Sequence, residues 1–177
     1  RAVIGAQQDQ AVRMTAAGQV FALPAGGGAP AAVSTTQVHV TGASLNATRT
    51  ALGFTHAWAD RAPEAYTSRL DRFDARQASR VQELPGVTGE DGAPLGRTDA
   101  IAWKAPDGQA VEGLVTYPVG YERGTRVPLL VIVHGGPTGV FTQSFIGTPG
   151  PYPIAAFAAR GYAVLRCNVR GSSGYGR

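Results

Sequence analysis

An all-β unit followed by an α/β layer is the fold class this sequence predicts. Three observations carry the prediction. Residues 1–96 hold short stretches of strand character recurring roughly every 10 to 15 residues, with no long helical run between them. Residues 100–177 hold two continuous apolar runs, 127–133 and 162–167, with a short helix signal between them. The 24 glycines and 12 prolines among 177 residues punctuate both parts and exclude a long helical array.

In the first part, 2–8 and 11–16 read as strands. Residues 19–24 read as another, closed by the turn sequence Ala25-Gly26-Gly27-Gly28-Ala29-Pro30. Residues 37–40 and 51–57 follow, the latter with the alternation Leu52, Phe54, His56. Pro63 interrupts the pattern, which resumes over 65–70. The polar stretch 77–84 suits an edge strand. Periodicity does not choose between a sandwich and a propeller for this part. Pro85, Gly86, Gly89, Gly92, Pro94 and Gly96 mark a connector.

The second part opens with strands 101–105 and 110–117 around Pro106-Asp107-Gly108, where Asp-Gly supplies the positive φ of a hairpin turn. After a polar connector, Val127-Pro128-Leu129-Leu130-Val131-Ile132-Val133 reads as a strand buried on both faces. Residues 153–160 read as a short helix, with Pro153 in its first turn and Gly161 just past its end. Strand 162–167 completes a mixed sheet. So small a sheet leaves an edge and apolar surface uncovered, so the chain is expected to be a fragment or one piece of a cleaved protein.

Composition removes several functions. The formal charge is +4, and all 16 basic residues except Lys104 are arginine. Arg61, Arg69, Arg72, Arg76 and Arg80 alternate with Asp60, Glu64, Asp71 and Asp74, which describes a solvated face and not a phosphate-binding surface. No nucleic-acid partner is expected. Cys167 is the single cysteine and the three histidines are scattered, so neither a disulfide nor a metal centre is expected. No apolar run approaches membrane-spanning length and no signal peptide opens the chain. The cytoplasm is the expected location, with the periplasm as alternative.

The sharpest local signal is His134-Gly135-Gly136-Pro137 directly after the apolar strand. An α/β-hydrolase places there the N–H groups that stabilise an oxyanion, and glycines let the backbone turn so that its amides face a cavity. Gly135 and Gly136 are the candidate catalytic residues. His134 is not the catalytic base, because the base follows the nucleophile in that fold. It is expected to pack and hydrogen-bond so that the glycine loop is held. No Gly-x-Ser-x-Gly motif occurs in the chain. The loop 170–176 lacks the Gly-x-Gly-x-x-Gly pattern and a following lysine, so no nucleotide cofactor is expected. Asn168 and Arg170 are expected to brace the loops beneath the site, Arg170 by pairing a carboxylate from outside this chain.

Lys104–Gly108, Glu112–Pro118, Pro128–Pro137 and Asn168–Gly176 together resemble the prolyl oligopeptidase family of serine peptidases, in its acylaminoacyl-peptidase and bacterial dipeptidyl-peptidase-like branch. The resemblance implies β-propeller blades over 1–85, a linker over 86–99, and the N-terminal part of an α/β-hydrolase domain over 100–177. It implies a peptidase for short peptides, working through an acyl-enzyme. The serine, aspartate and histidine would lie beyond residue 177, in the remainder of the same polypeptide. It gives the Gly136 amide an oxyanion role, with Gly135 shaping the turn. His134, Pro137, Arg170 and Tyr175 become site-supporting. Histidine at 134, where other branches carry a tyrosine, argues against a tyrosine-assisted oxyanion hole. The alternatives are an esterase of the same fold and a non-catalytic binding protein with a degenerate hydrolase domain. Homo-oligomerisation is left open.

Overall fold

The computed structural model describes residues 2–6, 19–23, 26–32, 39–74, 77–81, 94–136, 138–148 and 150–175. The expected strand 11–16, most of the connector, Pro137 and Gly176 lie outside the described residues.

The first part is antiparallel sheet. Strands β1 (Ala2–Ala6), β2 (Gln19–Leu23) and β3 (Ala31–Ala32) pair in sequence order. Strands β4 (His39–Leu45), β5 (Ala51–Trp58), β6 (Arg61–Arg69) and β7 (Ser79–Arg80) form a second up-and-down sheet. One face of the second sheet is apolar because the period of two sends Leu52 and Phe54 of β5, and Tyr66 of β6, to the same side. Val20 of β2 packs into that cluster, with Val40, Leu45, Trp58 and Phe73 around it. Full burial of a leucine or phenylalanine stabilises by about 1.5–3 kcal/mol, so this cluster fixes the packing of β2 on the second sheet.

Pro63 does not interrupt the chain as expected. Strand β6 runs through it. The register of β5 against β6 shifts between His56 and Trp58, opposite Pro63, and β7 reaches only Tyr66 and Thr67. A residue without an N–H fits there, because a bulge on one side and an open edge on the other ask for no donor.

The second part is a four-stranded mixed sheet in the order β10-β11-β9-β8, formed by β8 (Thr98–Lys104), β9 (Ala110–Thr116), β10 (Leu129–Val133) and β11 (Ala163–Asn168). β8 begins three residues ahead of the strand expected at Ile101. The β8–β9 hairpin closes with a Gly108 N–H bond to the Ala105 carbonyl at 2.8 Å, and Gly108 has φ +82°. β10 and β11 are parallel and the other pairs antiparallel. Helix α1 (Ile154–Ala159) covers one face, burying Ile154 and Ala158 beside Val164 and Ile146. Gly161, at φ +86°, ends the helix: its N–H and that of Tyr162 bond back to Ala158 and Phe157.

Among the described residues of 1–177, β10 has a neighbouring strand on one side only. It is an edge strand whose Leu129, Val131 and Val133 are 55%, 57% and 56% exposed, while Ile132 packs towards α1. Its sequence is apolar on both sides, but only one side meets a covering element among the described residues.

The start of β8 is sterically closed. A methyl group at Gly96 would lie 2.0 Å from the Tyr117 carbonyl oxygen and 3.1 Å from Cβ of Ala158. Backbone cannot give way as a side-chain tip can. Gly96→Ala is therefore expected to destabilise the second part by about 3 kcal/mol in urea unfolding. A change below about 0.5 kcal/mol would show that the Tyr117 backbone yields freely.

Candidate active site

Two loops meet at the carboxyl end of the parallel pair β10–β11, where open α/β sheets bind their ligands. The first leaves β10 as His134-Gly135-Gly136. The second leaves β11 as Val169–Tyr175. They interlock: Ser173 donates to the Thr138 carbonyl through its N–H at 3.1 Å and its hydroxyl at 2.6 Å.

Gly136 has φ +120°, and a Cβ there would lie 3.1 Å from the Gly139 nitrogen. Gly135 has no positive φ and no atom within 4 Å of a Cβ position. The turn therefore depends on Gly136, while Gly135 borders open space. Both residues are exposed, and among the described residues neither amide donates to a protein acceptor. A pair of unbonded amides at a strand's carboxyl end is the arrangement that can receive developing negative charge.

His134 touches both loops. Its Nε2 lies 2.7 Å from Ser172 Oγ and its Nδ1 3.1 Å from the Gly135 carbonyl. The ring carries one proton in its neutral form. With the proton on Nδ1 it donates to the Gly135 carbonyl and Nε2 accepts the Ser172 hydroxyl; with the proton on Nε2 it donates to Ser172 Oγ, whose own proton goes to the Val169 carbonyl at 2.5 Å. The His134 ring meets the Phe141 ring edge-on, with centroids 5.4 Å apart.

Tyr175 ties the second loop to the sheet. Its hydroxyl donates to the Asn168 carbonyl at 2.6 Å and accepts the Glu112 N–H at 3.0 Å, occupying the end of the β9–β11 ladder. Burial pushes its phenol pKa up. Arg170 pairs with Asp107 in the β8–β9 turn. This corrects the expected partner: the carboxylate comes from within the chain, because the hairpin brings Asp107 to the end of β11.

Pattern reading missed the buried polar row beneath these loops. Glu112, Arg166 and Asn168 share one face of β9 and β11 and are nearly inaccessible. Burial raises the Glu112 carboxyl pKa, against a hydrogen bond from Asn168. Burial lowers the Arg166 pKa to about 10. Nη1 of Arg166 reaches the Thr142 carbonyl at 3.5 Å, while Nε and Nη2 have no partner among the described residues. The one signal available was charge inside otherwise apolar runs: Glu112 amid Val111 and Leu114, Arg166 between Leu165 and Cys167.

A cleft of about 650 Å³ lined by Arg97, Tyr117, Tyr121 and Arg123 lies at the other end of β9. Thr116 pairs with Val164 at the amino end of β11, so this cleft stands away from the glycine loop.

No family model matches the chain. Curated relatives do. Probable dipeptidyl-peptidase 5 of Emericella nidulans is 33% identical over 94 residues, which are 53% of this chain and 12% of that protein. The uncharacterized peptidase YuxL of Bacillus subtilis is 34% identical over 79 residues, 45% of this chain and 11% of that protein. Among solved structures, the acylaminoacyl peptidase of Pyrococcus horikoshii superposes on 90% of this chain and 23% of its own, with TM-score 0.65 and 21% identity. A puromycin-hydrolyzing peptidase of Mycobacterium tuberculosis covers 91% of this chain and 24% of its own, with TM-score 0.59 and 22% identity. The resemblance to prolyl-oligopeptidase-type peptidases thus holds in sequence and in fold, and the structural match runs through both parts of the chain. The chain spans about an eighth of the length of these curated relatives.

Proposed function

We propose that this chain is part of a serine peptidase acting on short peptides, of the acylaminoacyl-peptidase or dipeptidyl-peptidase type. Residues 1–85 are read as β-propeller blades, 86–99 as the linker, and 100–177 as the opening portion of an α/β-hydrolase domain. Two successive antiparallel up-and-down sheets packed through Val20 support the blades. The observation that carries the catalytic reading is that Gly135 and Gly136, exposed residues just beyond β10, have amides with no protein acceptor among the described residues.

In this reading a serine from outside residues 1–177 attacks the substrate carbonyl. Its proton passes to a histidine oriented by an aspartate, both also outside this span. The carbonyl oxygen becomes an oxyanion and takes the Gly136 N–H. The leaving amine departs with the proton, and water then hydrolyses the acyl-enzyme. Gly135 leaves room at the loop. His134, Arg170 and Tyr175 hold the two loops in place, with Pro137 supporting the turn. The rest of the same polypeptide completes the site and covers Leu129, Val131 and Val133. No helix among the described residues is long and apolar enough to cross a membrane. Independently of that, a single cysteine suits the cytoplasm, the location we assign, with the periplasm as the alternative.

The test is a panel of acyl-amino-acid, dipeptidyl and internally cleaved peptides, offered to the whole polypeptide with and without a serine-directed inhibitor. Short peptides should be cut, folded proteins spared, and the inhibitor should abolish turnover. Cleavage of simple esters with no peptide turnover would replace this reading with the esterase. No turnover of either substrate class would replace it with a binding protein.

A further inference from the structure

The carboxamide of Asn168 uses both of its ends on one neighbouring residue. Oδ1 accepts the Phe141 N–H at 2.8 Å, and Nδ2 donates to the Phe141 carbonyl at 3.0 Å. Asn168 also pairs with Glu112 across β11 and β9, and its side chain eases the burial-raised pKa of the Glu112 carboxyl. The backbone carbonyl of Asn168 takes the Tyr175 hydroxyl. One residue, 1% exposed, therefore ties the loop after β10, the loop after β11 and strand β9 together. Phe141 carries the constraint onward: its ring packs edge-on against His134 and against Tyr152, and His134 contacts the Gly135 carbonyl. The Gly135 carbonyl and the Gly136 N–H belong to one planar peptide, so fixing the first aims the second.

We propose that Asn168 is a positioning residue for the oxyanion loop, acting through Phe141 and His134 on the direction of the Gly136 N–H. The proposal rests on the peptidase reading above and adds to it a residue that touches no substrate. Only a carboxamide of this length supplies an acceptor and two donors at these places. Aspartate has the same shape but no donor. Its second oxygen would face the Phe141 carbonyl and the Glu112 carboxyl. The other groups around it are the buried Arg166 on the same strand, the Tyr175 hydroxyl, and His134 beyond Phe141.

The experiment compares wild type, Asn168→Asp and Asn168→Leu in the whole polypeptide, on the peptide that wild type cuts best. A displacement near 1 Å costs about 100-fold in rate. Each variant should lose about that factor in kcat, with KM within about threefold of wild type. Two carboxyls side by side share a proton, and a protonated aspartate regains the donor. The ratio of N168D to wild-type kcat should therefore rise at least about tenfold between pH 8 and pH 5.5, while the N168L ratio stays flat. A kcat within about threefold of wild type, or two flat ratios, overturns the proposal. Should N168D fail to fold, the kcat and KM of N168L decide in the same way. An inactive wild type defeats the peptidase reading and not this one. In that case, NMR decides: a Gly136 amide resonance unmoved by N168L overturns the coupling, and a shifted or exchange-broadened one supports it.

Discussion

Gly136→Ala should lower kcat for peptide hydrolysis by about 100- to 1000-fold in the whole polypeptide and leave the fold standing. The reason is conformational. Gly136 has φ +120°, where an L-residue with a Cβ is strained, and the added methyl would lie 3.1 Å from the Gly139 nitrogen. The chain can relieve the strain only by rotating the peptide that joins Gly135 to Gly136. That rotation turns the N–H away from the developing oxyanion. Losing one such donor costs a rate factor of about 100 to 1000. The neighbouring Gly135→Ala is the informative contrast. Its φ is not positive and a Cβ there meets nothing within 4 Å. Its loss should be at least about tenfold smaller. Thermal unfolding of both variants, beside kcat and KM, separates misaimed amide from damaged fold. A G136A enzyme that is folded and turns over within about twofold of wild type would remove Gly136 from the chemistry.

Local devices were legible in the sequence because their physics is local. The Asp107-Gly108 turn, the stop at Gly161 and the glycine turn after β10 each depend on a few adjacent residues. What depends on a partner far along the chain was not legible. Pro63 looked like a strand break until the register shift on β5 supplied its context. The run 127–133 tells what its two faces can bury, and not which element lies on each. Arg170 has a guanidinium that any nearby carboxylate would suit, and only the hairpin geometry chooses Asp107. The Glu112–Arg166–Asn168 row sits in apolar strands where an alternation pattern cannot tell an inward charge from an outward one. Residue types alone single out the glycine loop as a candidate, but the difference between Gly135 and Gly136 needs their φ angles.

Acid should open the second sheet of the first part through His56. Its ring is fully buried on β5, between Trp58 and Tyr66, and neither nitrogen has a partner among the described residues. Burial, with smaller contributions from the charges of Arg61 and His39, lowers its pKa from 6.5 to about 4. His39 on β4 is lowered by burial as well. Glu64, opposite His56 in the β5–β6 register, is held by Tyr66 and Arg80 through Oε2. The fold thus prefers the neutral imidazole and the unfolded chain binds the proton first. This contribution is complete above about pH 6.5, declines as pH falls, and is gone below about pH 4. A shift of that size corresponds to about 3 kcal/mol. His56→Phe removes the titrating group and both unpartnered nitrogens. Wild-type protection of the β5 amides against hydrogen exchange, corrected for intrinsic rates, should fall about 100-fold more between pH 7 and pH 4 than that of H56F. Parallel decline in the two proteins would mean that His56 is not the acid-sensitive group, and His39→Phe would be the next variant to carry the same measurement.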